Sequence, residues 1–346
     1  MRGSRILITG ATGFIGSQLA LYARRLGLDI VAAGRELSTV EVERANELRS
    51  AGIEVSTGKL QDLEYARSLV EGCTAVIHLA AAQHEAQMPD IYFRDVNVIG
   101  TRVLLEAARA VSVRRFVYGS TIGVYGSSSD QVLDENSPLR PDNIYTRTKA
   151  EAERLVSTFS AEMETCIIRI SETYGPGDLR LLKLFRAIDR GQFVMIGSGQ
   201  NRHQCIHVAD LARALLLATE HPYAAGEVFV IAGAEPITTN EMVQLIAAAL
   251  NRHPPRIHLP LWPFRVAAHV FEWLLPPLGM TPPLHRRRLD FFTKSFVFSI
   301  EKAQRLLDFR PEIDFASGAL DTAQWYRARG YLPQRQRHEV TKAESV

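Results

Sequence analysis

The sequence predicts an α/β fold built on a doubly wound parallel sheet. The prediction rests on short apolar runs typical of buried strands and on amphipathic segments with helical spacing between them. In the first half, strands are predicted at 5–9, 29–33, 53–56, 75–80 and 115–118, and helices at 16–26, 40–50, 63–70 and 96–110. Such alternation over short connections indicates βαβ units, whose helices cover both faces of a parallel sheet.

The second half begins with the same alternation and then changes. A helix at 144–160 and a strand at 165–170 are followed by a turn cluster, Tyr-Gly-Pro-Gly-Asp, at 174–178. Beyond the turn we predict helices at 181–190, 208–219 and 239–250, and strands at 193–196 and 227–232. A proline-rich, aromatic segment at 253–283 leads into a basic run at 285–288, and the tail from 333 onward is polar.

Composition narrows the class of protein. The chain has 346 residues, 46% of them hydrophobic, so it can bury a large core. Its 40 basic and 38 acidic residues nearly cancel, which argues against nucleic acid as a partner. The odd number of cysteines, Cys73, Cys166 and Cys205, implies no disulfide framework and favours a cytoplasmic location. We expect neither a signal peptide nor a membrane-spanning helix, because the longest apolar stretch, 257–279, contains four prolines and several charges.

A glycine-rich loop follows the first predicted strand and opens the first predicted helix. Glycine suits this position because the turn needs positive φ and because the backbone must approach a diphosphate closely. The diphosphate would then lie at a helix N-terminus, which favours negative charge. A glycine-rich turn without a ligand is the alternative. The candidate cofactor-binding residues of the loop are Gly10, Thr12, Gly13, Phe14, Ile15 and Gly16.

The end of the second strand indicates which nicotinamide cofactor is bound. An acidic residue there would bind the ribose 2′-hydroxyl of NAD, whereas an arginine accommodates the 2′-phosphate of NADP. The strand ends at Arg35, with Ser38 nearby, so NADP(H) is favoured. Glu36 is adjacent and keeps NAD(H) possible, and Arg35 also fits an ordinary solvated arginine.

A tyrosine and a lysine four residues apart form the candidate proton-transfer pair. Tyr145 and Lys149 project from one face of a predicted helix. A nearby ammonium stabilises a phenolate, so Tyr145 can move a proton at a substrate oxygen while hydride moves at the adjacent carbon. Ser120 and Thr121 come at the C-terminal end of a buried strand, the edge where open α/β sheets bind ligands.

Taken together, these motifs resemble those of the extended short-chain dehydrogenase/reductases, also called the NAD-dependent epimerase/dehydratase family. The resemblance covers about residues 4–330. The matching pieces, in the order of the family, are Thr-Gly-Ala-Thr-Gly-Phe-Ile-Gly at 9–16, His-Leu-Ala-Ala at 78–81, Asn97 before Gly100-Thr101, Ser-Thr-Ile-Gly-Val-Tyr-Gly at 120–126, Tyr145 with Lys149, Tyr-Gly-Pro-Gly-Asp at 174–178 and His-Val-Ala-Asp at 207–210.

The resemblance implies a Rossmann core with a smaller C-terminal substrate-binding lobe, and a homodimer. The core is expected over 1–175, completed by parts of 200–235, and the lobe mainly over 176–332, with a polar tail at 333–346. The implied catalytic residues are Thr121, Tyr145 and Lys149, the last two also contacting the cofactor. The further implied cofactor-binding residues are Leu60, Leu79, Ala80, Ala81 and Asn97.

The chain departs from the family where nucleotide sugars bind. Relatives acting on such substrates usually carry asparagine at the position of Glu172 and a phosphate-gripping arginine at the position of His203. A carboxylate facing a diphosphate is repulsive, so Glu172 counts against that substrate class. The candidate substrate-binding residues are Gln83, Glu172 and His203.

The C-terminal third is rich in large apolar residues, which resembles the hydroxysteroid and sterol dehydrogenase branch. In that branch the region faces a bulky apolar substrate or a membrane surface, whereas a plain lid helix is the simpler interpretation. With the arginines at 286–288, peripheral contact with the inner face of a membrane is a further hypothesis.

A metal site is a weaker hypothesis. His203, Cys205 and His207 are alternate residues, which would share one face of a strand. No second cluster of metal-ligating residues is visible in the sequence, so we expect no metal.

The sequence therefore predicts an oxidoreductase that interconverts a secondary alcohol and a ketone with NADP(H) or NAD(H), on a small-molecule substrate. The alternative is a nucleotide-sugar 4-epimerase or dehydratase that recycles tightly bound NAD. A non-catalytic dinucleotide-sensing module is a third hypothesis, and it conflicts with the presence of Thr121, Tyr145 and Lys149 together.

Overall fold

The computed structural model describes residues 4–83, 88–126, 131–274 and 286–334. The strands are β1 (Arg5–Thr9), β2 (Asp29–Gly34), β3 (Glu54–Thr57), β4 (Ala75–His78), β5 (Arg115–Thr121), β6 (Val132–Leu133), β7 (Glu164–Ile170), β8 (Thr173–Tyr174), β9 (Met195–Ile196), β10 (Arg202–His203), β11 (Ile206–His207), β12 (Glu227–Ile231), β13 (Ile237–Thr238), β14 (His258–Leu259) and β15 (Val297–Phe298). Residues 335–346 of the predicted tail lie outside the described residues.

The helices flank these strands in sequence. They are α1 (Phe14–Arg25), α2 (Thr39–Ser50), α3 (Leu63–Val70), α4 (Asp90–Arg94), α5 (Gly100–Ala110), α6 (Ile144–Thr158), α7 (Leu182–Asp189), α8 (Val208–Glu220), α9 (Thr239–Ala249), α10 (Leu261–Leu274), α11 (Arg286–Thr293), α12 (Glu301–Leu307) and α13 (Phe315–Ala328). Helical spacing of apolar residues and the caps at Ser38, Asn143 and Thr238 account for several of their boundaries.

Seven strands form one parallel sheet in the order β3-β2-β1-β4-β5-β7-β12. This confirms the predicted doubly wound Rossmann sheet. The chain fills the sheet in one direction from β1 to β3 and in the other direction from β4 onward. The order therefore reverses between β1 and β4, and in such sheets ligands bind in the crevice at that switch point.

Both faces of the sheet are buried, which explains why its strands are almost continuously apolar. Alternate residues of β1 point to opposite faces, so that Ile6 and Ile8 join one core cluster and Leu7 joins the other. The first cluster includes residues of α1 and α8, and the second includes residues of α3, α5 and α6.

Two predicted boundaries shift at positions that matter for the site. The strand predicted at 115–118 continues through Thr121, because Gly119, Ser120 and Thr121 pair in register with β7. Tertiary pairing overrides the turn preference of a Gly-Ser pair here. The helix predicted at 96–110 begins as one π-helical turn, Asp95–Ile99, before α5.

A second group of helices, α7, α9 and α13, surrounds a separate apolar cluster. Phe185 and Tyr326 meet edge to face at its centre, with ring centroids 5.1 Å apart. Tyr174, on the short strand after β7, belongs to the same cluster and donates its hydroxyl proton to the carbonyl of Asp314 at 3.1 Å. The segment leaving the sheet edge therefore leads directly into this second group.

Candidate active site

The glycine loop lies at the crossing between β1 and β4, where backbone segments touch. Gly10 has φ +69°, and a Cβ atom on it would lie 2.7 Å from the backbone nitrogen of Ala80. A Cβ on Gly16 would lie 2.3 Å from the carbonyl oxygen of Gly10. Both separations are shorter than any real contact, so side chains are excluded and the loop lies directly against the segment after β4.

The N-terminus of α1 is suited to an anion. Its cap residue, Gly13, supplies no side-chain hydrogen bond, and no acidic residue lies in the first turn. The first N–H groups of a helix lack intrahelical partners and carry partial positive charge. The residues present therefore fit the diphosphate of a dinucleotide cofactor, held by the loop from Gly10 to Gly16.

A buried histidine supports this loop from below. Thr9 Oγ1 lies 2.6 Å from His78 Nδ1, and Thr101 Oγ1 lies 2.9 Å from His78 Nε2. Burial, reinforced by the charge of Lys149, lowers the pKa of His78 to about 3, so the ring is neutral at physiological pH. Thr9 also accepts a hydrogen bond from the backbone of Ala80 at 3.3 Å, which connects the histidine to the cofactor crevice.

Asn97 fixes the segment after β4 from the other side. Its Oδ1 accepts from the Ala82 backbone N–H at 2.7 Å, and its Nδ2 donates to the Ala82 carbonyl at 3.1 Å and to Thr148 Oγ1 at 2.9 Å. Both amide atoms thus face protein groups. The structure places Asn97 beneath the crevice, where it holds the backbone of Ala82. Gln83 follows at an exposed position.

The end of β2 presents Arg35 beside the glycine loop. Its backbone N–H donates to Thr12 Oγ1 at 3.0 Å, and its guanidinium donates to the Tyr92 hydroxyl at 2.9 Å and lies 3.7 Å from Glu41. The Arg35 side chain is 40% exposed. Glu36, the competing residue, instead forms an ion pair with Arg49 of α2.

Tyr145 and Thr121 meet at the carboxyl edge of the sheet. Asn143 caps α6 and places Tyr145 in its first turn, and Thr121 is the last residue of β5. The Thr121 side chain lies close enough to the Tyr145 hydroxyl to affect its pKa. Burial raises the pKa of Tyr145 to about 12, although Thr121 and the charge of Arg180 act in the opposite direction. Tyr145 is therefore a neutral phenol at neutral pH.

Lys149 lies one turn along α6 and is 2% exposed. Its Nζ donates to the carbonyl oxygen of Gly119 at 2.6 Å and lies 4.1 Å from the centroid of the Tyr118 ring. Burial lowers the pKa of Lys149 to about 7, while Glu153 acts to raise it. The ammonium is thus held between the Gly119 carbonyl and the Tyr118 ring face, with the Glu153 carboxylate nearby.

Beneath this pair lies a buried ionic network. Glu153 accepts from Ser120 Oγ at 2.5 Å and from Arg169 at 2.9 Å, and both charged residues are about 5% exposed. Arg169 also donates to the Tyr125 hydroxyl at 2.9 Å and to the carbonyl of Glu135 at 2.9 Å. The network joins α6 to β5 and β7 immediately behind Thr121 and Lys149.

Four ionisable side chains near the carboxyl edge of the sheet form what we call the edge cluster: Tyr145, Glu172, Arg180 and Cys205. Glu172 and Arg180 have half-exposed side chains, and Tyr145 and Cys205 are partly exposed. Loss of hydration is nevertheless the largest influence on the pKa of each. All four groups are therefore only partly hydrated.

Glu172 is fixed within the edge cluster. The ring of His203, which is 4% exposed, places Nδ1 2.8 Å from Glu172 Oε2, and the thiol of Cys205 donates to the same oxygen at 3.7 Å. Burial alone would raise the pKa of Glu172. The bond with His203, its charge, Cys205 and Arg180 lower it more, so the pKa lies below the usual range and the carboxylate is ionised.

Arg180 connects the edge cluster to the glycine loop. Its guanidinium is bound to Asp178, with Nε 2.9 Å from Oδ1, and donates to the carbonyl of Thr173. The same group lies 5.5 Å from the centroid of the Phe14 ring. A fixed cation therefore stands between the cofactor crevice and Tyr145.

Comparison with known proteins decides the family. Residues 6–232 match the model of the NAD dependent epimerase/dehydratase family, which is more than half of the chain. The chain belongs to this family. It is 31% identical to protein y4nL of Sinorhizobium fredii over 92% of this chain and 94% of that protein.

Two further proteins of this family that resemble the chain have names or titles that state an activity or the molecules bound. A 4-hydroxy-2-methyl-3-oxo-4-farnesyl-3,4-dihydroquinoline-1-oxide ketoreductase of Stigmatella aurantiaca is 29% identical over 91% of this chain and 94% of that protein. The structure of MoeE5 in complex with UDP-glucose and NAD superposes with a TM-score of 0.72, at 26% identity over 94% of this chain and 99% of that one. Homologues of the chain are named dehydrogenases, epimerases and dehydratases, so the chain is an enzyme.

The structure brings together most of the site residues that the sequence predicts for this enzyme. The loop at 10–16, the segment at 79–82 and the Thr121, Tyr145 and Lys149 side chains share one edge of the sheet. The sequence analysis missed Arg180, which comes two residues after the turn cluster at 174–178 and whose backbone N–H donates to Asp178 Oδ1 at 2.8 Å. Within the described part of the chain, no group of three or more His, Cys, Asp or Glu is arranged to hold a metal ion.

Proposed function

We propose that the protein is an NAD(P)(H)-dependent oxidoreductase that interconverts a secondary alcohol and a ketone. The observation that carries this proposal is the placement of Thr121, Tyr145 and Lys149 at the sheet edge beside a glycine loop suited to a dinucleotide. The ketoreductase similarity supports it.

Each of the three residues has a defined role in this proposal. Thr121 and Tyr145, whose side chains interact, hold one substrate oxygen between them. In oxidation the alcohol proton passes to the Tyr145 oxygen, and in reduction Tyr145 returns it to the carbonyl oxygen. Lys149 stabilises the phenolate electrostatically and is placed to bind the nicotinamide ribose. The bound nicotinamide supplies the hydride acceptor or donor.

The second candidate is a nucleotide-sugar 4-epimerase or dehydratase, favoured by the likeness to MoeE5, which was solved with UDP-glucose and NAD. The two functions differ in the fate of the cofactor. Stoichiometric consumption of added NADPH or NADH with a ketone panel supports the oxidoreductase. Tightly bound NAD that copurifies and shows no net turnover, together with conversion of UDP-glucose or dTDP-glucose, would instead support the epimerase or dehydratase.

We further propose that NADP(H) is the preferred cofactor. Arg35 presents a partly exposed guanidinium at the end of β2, and Glu36 is engaged by Arg49. Replacing Arg35→Ala is expected to weaken NADP⁺ binding by roughly 10- to 100-fold, since charged hydrogen bonds contribute about 1.5–3 kcal/mol. NAD⁺ binding should change little. Calorimetric titration measures both affinities, with Arg67→Ala as a charge-matched control, and equal wild-type affinities for the two cofactors would contradict the preference.

We also propose that α10 rests on an anionic membrane surface. Trp262, Val266, Val270 and Leu274 are spaced one turn apart and are 42–70% exposed. Exposed Arg265 lies among them, and α10 contains one acidic residue, Glu272, near its end. An apolar stripe with basic neighbours suits the interface of a bilayer that contains anionic lipid. No helix among the described residues has the length and apolar character to cross a membrane.

Vesicle sedimentation tests the membrane proposal. Wild-type protein should cosediment with vesicles of phosphatidylcholine and phosphatidylglycerol more strongly than with phosphatidylcholine alone. The double variant Trp262→Ser, Val266→Ser should bind about tenfold more weakly, which corresponds to about 1.4 kcal/mol. Leu37→Ser, at another exposed apolar position, is the control. Equal loss in the control, or self-association of the protein through α10, would exclude this surface as a membrane contact.

The homodimer and the cytoplasmic location stay predictions from the sequence. The boundary between core and lobe at residue 175 also stays a prediction, as does the assignment of Leu60 and Leu79 to the cofactor-binding site.

A further inference from the structure

Arg44 on α2 joins two segments that are far apart in the sequence. Its guanidinium donates from Nη2 to the carbonyl oxygen of Gly177 at 2.7 Å and from Nη1 to the carbonyl oxygen of Thr12 at 3.4 Å. Gly177 belongs to the turn cluster at 174–178, and Thr12 belongs to the glycine loop. One side chain therefore bridges the cofactor loop and the segment that leads from the sheet into the second group of helices.

On the side of the glycine loop, the bridge fixes a peptide unit. The N–H of Gly13 donates to the carbonyl oxygen of Gly10 at 2.9 Å, and the carbonyl of Thr12 accepts from Arg44. The peptide between Thr12 and Gly13 is thus held at its nitrogen and at its oxygen. Helix α1 begins at Phe14, directly after this peptide, so the orientation of the peptide sets where the first free N–H groups of α1 point.

On the other side, the bridge ends in a tightly packed turn. Gly177 has φ +95°, and a Cβ atom on it would lie 3.3 Å from the Phe14 ring. The next residue, Asp178, is fully buried, and its carbonyl accepts from the Tyr326 hydroxyl of α13 at 2.5 Å. The turn is therefore held by α1 and α13, and it gives Arg44 a fixed acceptor.

The guanidinium of Arg44 is partly buried but charged. Burial lowers its pKa, and the charges of Asp178, Glu41 and Glu43 act to raise it, so that Arg44 is cationic at neutral pH. Hydrogen bonds from a charged donor are stronger than those between neutral groups. The bridge is therefore a stronger link than a bond between two backbone amides.

We propose that Arg44 is a positioning residue for the cofactor, because it fixes the peptide after Thr12 and so holds the glycine loop in the geometry that binds a diphosphate. The inference rests on the dinucleotide binding of the proposed function and not on its alcohol–ketone chemistry. Arg35 is proposed to bind the 2′-phosphate that only NADP(H) carries. Arg44 acts through the loop on the diphosphate, which both cofactors carry, so its loss should weaken NADP(H) and NAD(H) alike.

Titration of the purified protein with NADP⁺ and with NAD⁺ tests this role. Arg44→Gln should weaken the binding of both cofactors roughly tenfold, because the charged hydrogen bond to the loop is lost. Arg44→Lys should weaken it less, since an ammonium keeps the charge but lacks the fork that contacts two carbonyl oxygens. Thermal unfolding of the same samples reports whether each variant is folded.

Arg329→Gln is the matched control. Arg329 forms an ion pair with Glu47 of α2, so this variant removes a charged contact of the same helix that involves no residue of the glycine loop. It should bind both cofactors as wild type does. An equal loss in Arg329→Gln would show that any contact of α2 has this effect, and it would overturn the specific role of Arg44.

Turnover supplies a second readout. With a ketone that wild type reduces, Arg44→Gln should raise KM for NADPH about tenfold and leave kcat nearly unchanged, as expected when only cofactor binding is weakened. A reduced kcat with unchanged KM would contradict a positioning role.

Unchanged affinities in Arg44→Gln, or a loss confined to one cofactor, would overturn the proposal. If Arg44→Gln gives no folded protein, wild-type affinities in Arg44→Lys would overturn it and weaker binding of both cofactors would support it. Because the titration needs no turnover, it decides the role of Arg44 even if no ketone is reduced. A wild-type protein that binds neither cofactor would overturn this proposal and the proposed function together.

Discussion

Replacing Tyr145→Phe should lower kcat of the oxidoreductase reaction about a thousandfold while NADP(H) and NAD(H) still bind. General acid–base catalysis by a positioned side chain contributes about 10²- to 10⁴-fold, and phenylalanine keeps the ring while removing the only atom that carries the proton. The variant also removes the interaction of the Tyr145 hydroxyl with Thr121. Steady-state kinetics with the active ketone, beside a cofactor titration, measures the two effects separately.

The control is Tyr223→Phe, which removes a hydroxyl from a tyrosine that is 66% exposed. It should leave kcat unchanged. If Tyr145→Phe retains more than a tenth of the wild-type rate, the proton passes by another route and the assignment of Tyr145 is wrong. Loss of cofactor binding in the variant would instead indicate a structural role.

The pH dependence of the oxidation and reduction rates tests the role of Tyr145 independently. Burial raises the pKa of Tyr145 to about 12, so the phenol predominates at neutral pH. Alcohol oxidation needs the phenolate as base, and its rate should therefore rise as the pH increases from neutral to alkaline. Ketone reduction needs the phenol as acid and should not rise over the same interval.

Much of the cofactor crevice could be predicted from the sequence because its determinants are local. Gly10, Gly13 and Gly16 follow one strand and open one helix, and Tyr145 and Lys149 are one helical turn apart. Periodicity within a single βαβ unit is enough to place such groups at the carboxyl edge of a sheet. The predicted parallel sheet followed from the same local alternation.

The rest of the site depends on contacts between distant segments. Ser120 is 33 residues from Glu153 in sequence, and Glu172 is 31 residues from His203. Nothing in the local pattern indicates that these pairs meet. The extension of β5 to Thr121 has the same cause, because its last residues are held by pairing with β7. The sequence therefore predicts which residues carry the chemistry better than it predicts what holds them.

Glu153→Ala should reduce the free energy of unfolding by about 3–5 kcal/mol, the usual cost of removing one partner of a buried ion pair. The variant leaves the Arg169 guanidinium buried with only the Tyr125 hydroxyl and the Glu135 carbonyl as neutral partners. It also leaves Ser120 without its acceptor. Urea-induced unfolding followed by fluorescence measures the loss.

A surface ion pair of similar length provides the matched control. Arg109 and Glu162 are 2.8 Å apart, but both side chains are about half exposed. Glu162→Ala should therefore cost no more than about 1 kcal/mol, because water screens the pair. The double variant Glu153→Leu, Arg169→Met should recover most of the stability lost in Glu153→Ala, since an apolar pair leaves no charge buried alone. If Glu153→Ala costs no more than Glu162→Ala, the network does not hold β5 and α6 together, and another contact must position Thr121 against Lys149.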